Sequence, residues 1–181
     1  MNLRAFRQKL LDKQPRLRRF LTRIENTPPR GLSKMTVAAD ALAWKDVDCL
    51  TCGNCCRSMT PTFTPADVKR ISAHLSMTPE AFREKWLYKD REGDWMNTRR
   101  PCQFFNTTDF KCSIYEVRPI DCAGFPHLTK RAPRDYIHVY KQNTEYCPAT
   151  QRWVEHLEGL VTGKPVPPAT PLELKSPPLT R

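Results

Sequence analysis

Four cysteines within eight residues, Cys49, Cys52, Cys55 and Cys56 in the run Cys-Leu-Thr-Cys-Gly-Asn-Cys-Cys, constrain this chain more than any other feature. Two-residue gaps let successive thiolates converge on one metal, and inert buried thiols or disulfides do not call for so short a run. Cys102, Cys112, Cys122 and Cys147 follow, making eight, enough for two four-sulfur sites. Residues 47–160, which carry all eight, read as short helices with little sheet. A core of that kind is thin, and metal supplies stabilisation that packing cannot. The expected fold is a small irregular α+β body, mostly short helices with a small hairpin, organised around cysteine-bound metal.

Composition divides the 181 residues into three stretches. Residues 1–46 hold 11 Lys/Arg against 4 Asp/Glu, a net of +7, so the overall +11 belongs mainly to a basic N-terminal arm. Within it Leu3, Phe6, Leu10, Leu17, Phe20 and Ile24 form one apolar helical stripe over residues 2–25, which Pro15 should kink or split. Such a stripe docks on the body and leaves the charges solvated. Residues 47–160 form the cysteine-bearing domain, and residues 161–181, with six prolines and no periodicity, read as a disordered or extended tail.

Local signals place further elements. A second helix is expected over Met35 to Trp44, and Thr64-Pro65 and Thr78-Pro79 open two more, each a capping hydroxyl before a proline. Cys102 to Tyr115 reads as a hairpin and Tyr136 to Tyr140 as a strand. Cys147-Pro148 opens a last helix ending near Gly159 or Gly163. No stretch approaches the roughly 20 apolar residues of a membrane helix, and no signal-peptide block is present. A reducing compartment is therefore the expectation, where such cysteines are metal ligands before disulfides. The arginine-rich, acid-poor start also suits an organellar transit peptide.

The first three cysteines copy the opening of the bacterial ferredoxin run, and Cys147-Pro148 is similar to the Cys-Pro that completes one. Cys56 departs from that run. Adjacent side chains usually diverge, so Cys55 and Cys56 are expected to serve different centres. Cys49, Cys52 and Cys55 are the primary set, with Cys122 or Cys147 completing it; Cys56, Cys102 and Cys112 are candidates for a second. Gly53 suits the tight loop between them. Zinc is the rival metal, since C-x2-C also opens a zinc knuckle that Cys102 and Cys112 would complete, and sulfur ligation suits both zinc and iron–sulfur clusters. None of His74, His127, His138 and His156 has a ligand spacing with a cysteine; His127, the nearest, reads as a packing or surface residue. Arg57 and Arg118 are placed either to offset a negatively charged cluster or to lie solvated.

The Cys49 to Cys56 run, Cys102, Cys112-Ser113-Ile114-Tyr115, and Arg118-Pro119 followed by Cys122, Phe125 and Pro126 together resemble the YkgJ-type cysteine-cluster family, named for its CxxCxxCC motif. The resemblance covers about residues 47–160. It implies zinc or iron chelation, or an iron–sulfur cluster, in a bacterial cytoplasmic protein, and implies little about a reaction. A flagellin lysine N-methylase is a similar cysteine-cluster protein, which keeps a cluster-dependent modifying enzyme among the readings.

Nothing in the sequence is catalytic on its face. Neither nucleotide-binding glycine loop is present, nor the C-x3-C-x2-C of radical S-adenosylmethionine chemistry. A Cys–His nucleophile needs one activated thiol, not eight in metal-like spacing. Aromatics are not interleaved with the basic residues of the arm, which argues against nucleic acid. The leading expectation is an iron–sulfur protein of electron transfer or redox sensing. The alternative is a structural zinc module that presents its arm or tail to a protein partner.

Overall fold

Thr64 and Thr78 each open a helix by accepting a hydrogen bond from the amide three residues on, Asp67 at 3.1 Å and Ala81 at 3.2 Å. Pro65 and Pro79 fill the first helical position, where a missing N–H costs nothing. Both starts agree with expectation. The computed structural model describes residues 3–169. In chain order it has α1 (Leu3–Asn26), α2 (Leu32–Asp46), α3 (Asn54–Ser58), β1 (Thr62–Phe63), α4 (Pro65–His74), α5 (Pro79–Trp86), β2 (Leu87–Lys89), β3 (Trp95–Asn97), α6 (Ile120–Gly124), α7 (Ile137–Asn143) and α8 (Pro148–Thr162). Among the described residues, eight α-helices accompany one antiparallel sheet of order β1–β3–β2, so the fold is mixed α+β and mostly helical. None of the helices is long and apolar enough to cross a membrane.

Two compact units share the chain: Met1–Cys52 with Pro126–Arg181, and Gly53–Phe125. In the first, the stripe of α1 is buried from Leu17 through Phe20, Leu21 and Ile24. It meets Ala39 and Ala43 of α2, Ile137 and Tyr140 of α7, and Trp153, Val154 and Leu157 of α8. The small Ala39 and Ala43 let α8 approach α2 closely, and the Trp153 indole N–H donates to the Thr36 carbonyl at 3.0 Å. The docked arm is thus part of this unit's core. The side chains of Leu3, Phe6 and Leu10 lie outside the description. Several of its charges are paired: Lys13 lies 3.0 Å from Glu155, Arg18 2.8 Å from Glu145, and Arg16 bonds Glu158. Deeper in, Arg152 joins Asp46 at 2.8 Å and Glu155 at 2.7 Å, and His156 Nε2 also meets Asp46.

The second unit has its own core of Phe63, Val68, Ile71, Phe82, Leu87, Phe104 and Ile114. Phe82 and Phe104 stack at 6.2 Å, and Trp86 tilts onto Phe104 at 5.6 Å. Cys102 and Cys112 pack against this core half-buried, so two thiols edge an apolar cluster.

Several expectations differ from the structure. α1 is helical on both sides of Pro15 without a break, because burial of its stripe and its ion pairs outweigh one lost amide. The expected strand at Tyr136 to Tyr140 is a 3₁₀ turn running into α7; Ile137 and Tyr140 reach the core at helical spacing, and packing overrides the strand preference of their side chains. The expected hairpin at Cys102 to Tyr115 is reduced to one bridge, Phe105 with Cys112, while the sheet forms at β2–β3, with β1 at its other edge. α8 ends at Thr162, capped by Gly163 at φ +71°. Residues 163–169 carry no helix or strand, and the Pro167 carbonyl accepts from Arg152 at 3.0 Å. Residues 170–181, the rest of the expected proline-rich tail, lie outside the described residues.

Candidate metal centre

Asp48 accepts from the Leu50 amide at 2.9 Å and starts a 3₁₀ turn, Cys49–Thr51, which the Cys52 amide closes onto the Cys49 carbonyl at 3.1 Å. Gly53 follows in the left-handed region at φ +60° and precedes α3, which carries Cys55 and Cys56. A Cβ built on Gly53 would stand 2.5 Å from Phe105 Cζ, so both conformation and space require glycine here. Phe105 and Phe110 in turn enclose the Arg57 guanidinium, 5.2 Å and 4.6 Å from the two ring centroids. The expected divergence of the adjacent thiols is not found: Cys55 and Cys56 sulfurs are 3.9 Å apart within this one helical turn.

The second unit brings Cys56, Cys102, Cys112 and Cys122 together. The Cys102 amide donates to the Cys56 carbonyl at 2.9 Å, and the Phe105 amide donates to the Cys102 carbonyl at 3.0 Å. Phe105 bridges to Cys112, fixing the third thiol against the second. Cys122 rides on α6, whose first amide, Ile120, donates to Asp67 Oδ1 at 3.1 Å, while Asp121 accepts from the Thr62 amide at 3.1 Å. Electrostatically the four are one group, since each thiol lies within reach of the other three.

Their protonation is uneven. Cys56 is lowered to about 7, first by its hydrogen bond with Cys55, with burial opposing and the Arg57 charge assisting. Burial raises Cys102 and Cys112, and for Cys112 the neighbouring thiols add to it while Arg118 opposes. Cys122 has an open surface but a densely packed neighbourhood, which raises its thiol through desolvation and then through the charges of Cys56, Cys102, Asp121 and Cys112. Arg57 and Arg118 thus both favour thiolate.

The first unit holds Cys49, Cys52 and Cys147. Cys147 caps the N-terminus of α8 and is buried, which pushes its thiol up to about 12, with Cys52 and Cys49 adding their charge. Cys122 therefore lies near Cys56, Cys102 and Cys112, and Cys147 near Cys52 and Cys49. Among the histidines, His156 is engaged by Asp46. The acidic trio Asp90, Glu92 and Asp94 lies close together, but Asp90 Oδ1 accepts the Glu92 and Asp94 amides and closes the β2–β3 turn.

Two supporting residues escape a reading of the cysteines alone. Asp67 has a local signal, the Thr-x-x-Asp capping box of α4, but its bond to Ile120 is long-range. Asn97 carries no signal, and its side-chain N–H donates to Cys102 Sγ at 3.2 Å.

Residues 48–148, which include all eight cysteines, match the profile of the CxxCxxCC family, described as a "Putative zinc- or iron-chelating domain". An uncharacterized protein of Methanocaldococcus jannaschii is 28% identical over 81 residues, 44% of this chain and 43% of that protein, so the chain matches under half of the relative's length. No solved structure matches significantly. A family match across more than half the chain, spanning all eight cysteines, makes this protein a member of the CxxCxxCC family.

Proposed function

We propose that the chain binds metal through two sets of thiols, Cys56, Cys102, Cys112 and Cys122 in one unit and Cys49, Cys52 and Cys147 in the other. The observation that carries this reading is the mutual proximity of the first four, each within electrostatic reach of the remaining three. Sulfur-only donors suit iron–sulfur clusters and zinc alike. A tetrahedral zinc site with Zn–S bonds of about 2.3 Å sets its sulfurs about 3.8 Å apart. Arg57 and Arg118 offset the negative charge an iron–sulfur cluster carries. An iron–sulfur centre of this kind serves electron transfer or redox sensing. Anaerobic purification with absorption spectroscopy, iron analysis and acid-labile sulfide tests the reading. Iron and sulfide in comparable amounts support it; a colourless chain with stoichiometric zinc and no sulfide overturns the iron–sulfur form.

One contact favours zinc instead. Cys55 and Cys56 at 3.9 Å have the separation of two ligands on one zinc. The protein is then a structural module that presents its surface to a protein partner, and chelation unfolds the thiol-bearing unit with no redox signal to lose.

A further inference from the structure

Asn97 is a buried amide with only 2% of its surface exposed, on the β3 strand opposite Leu87. An amide in such a place is costly when left unpartnered, so its partners are informative. Its Nδ2 donates to Cys102 Sγ at 3.2 Å. Its Oδ1 accepts from Gln103 Nε2 at 2.9 Å. The two bonds agree: with Gln103 donating, the oxygen of Asn97 faces Gln103 and its NH₂ faces the sulfur. Gln103 Oε1 is meanwhile buried without a hydrogen-bond partner.

A neutral thiol is a weak acceptor, whereas a thiolate is a strong one. A buried N–H aimed at Cys102 therefore gains most when that sulfur is metal-bound. We propose that Asn97, oriented by Gln103, is the positioning residue for Cys102 as a metal ligand, directing a side-chain N–H at its sulfur and withdrawing charge from it. The proposal rests on the metal-binding reading above. Hydrogen bonds of this kind set ligand orientation and, in iron–sulfur centres, the reduction potential.

The test uses the full chain and cobalt(II) as probe, with affinity from chelator competition and the thiolate-to-cobalt charge-transfer band as the spectroscopic signature. Asn97→Asp keeps the shape but replaces the donor by a carboxylate oxygen. Gln103→Glu replaces the donor that orients Asn97 and leaves β3 untouched, so it answers the question even where Asn97→Asp does not fold. Each is expected to weaken cobalt binding about 10–100-fold and to move the band. Variants that keep affinity within about threefold and leave the band in place overturn the proposal, since loss of a supporting bond costs more than that. Weaker binding with an unmoved band marks a purely structural role and overturns it as well. A wild-type chain that takes up no cobalt overturns the proposal, and one that after anaerobic purification also holds neither iron nor zinc refutes the metal-binding reading itself.

Discussion

Gly53 leaves the space that the Phe105 ring occupies: a Cβ on the glycine would lie 2.5 Å from Cζ and 2.6 Å from Cε2 of that ring. The backbone at Gly53 is left-handed, which costs an L-residue about 1–2 kcal/mol before any contact is considered. Overpacking against the ring adds about 1–3 kcal/mol. Gly53→Ala is therefore expected to destabilise the chain by about 2–5 kcal/mol in urea unfolding. Adding Phe105→Leu should recover the packing part and leave the conformational part. A Gly53→Ala chain as stable as wild type would show that the loop does not depend on this contact.

Asp67 ties the start of α4 to the start of α6, the helix that carries Cys122. Burial by itself raises its carboxyl, but hydrogen bonds from the Thr64 hydroxyl and amide, Arg70 and the Ile120 amide outweigh it and hold the group below the usual carboxylate range. A carboxyl whose folded pKa is depressed contributes stability that is complete above its unfolded value, near 3.9, and is lost as pH falls through the lower folded value. Asp67→Asn should therefore lower stability at neutral pH by about 1–3 kcal/mol, and the difference from wild type should shrink as the solution is acidified below pH 4. Urea titrations of both chains across that range measure it; a difference that stays constant with pH contradicts the assignment.

Arg152 is buried among Asp46, Glu155 and the Pro167 carbonyl. Removing one partner of a buried ion pair leaves uncompensated charge and costs about 3–5 kcal/mol. Arg152→Met should approach that loss, moderated by Lys13, which still reaches Glu155 at 3.0 Å. Replacing Glu155 by Gln in the same chain should restore part of it. Thermal unfolding of the single and double variants decides the matter, with no recovery in the double variant speaking against a coupled network.

How far the fold could be read in the sequence varies from element to element, for physical reasons. The starts of α4, α5 and α8 are legible because capping and proline act within a few residues. The burial of α1 follows from a stripe at steps of three and four. Residues 137–143 mislead because Ile137, Val139 and Tyr140 favour strands in isolation, and only the neighbouring helices decide otherwise. Among the thiols, the run Cys49 to Cys56 announces metal chemistry at once. Which distant cysteine comes near which part of the run is not encoded in spacing: Cys122 is brought near Cys56 through the Asp67–Ile120 bond and the α6 position, both long-range. The separation of Cys55 from Cys56 was likewise beyond a generic rule, because α3 turns both sulfurs to within 3.9 Å.

Metal content per chain, measured by native mass spectrometry on anaerobically purified single Cys→Ser variants, tests the central claim most directly. Cys56→Ser, Cys102→Ser, Cys112→Ser and Cys122→Ser should each lose the same centre and retain the other, while Cys147→Ser should lose the other one alone. Loss of one and the same centre in both Cys122→Ser and Cys147→Ser would contradict the division of thiols into two sets.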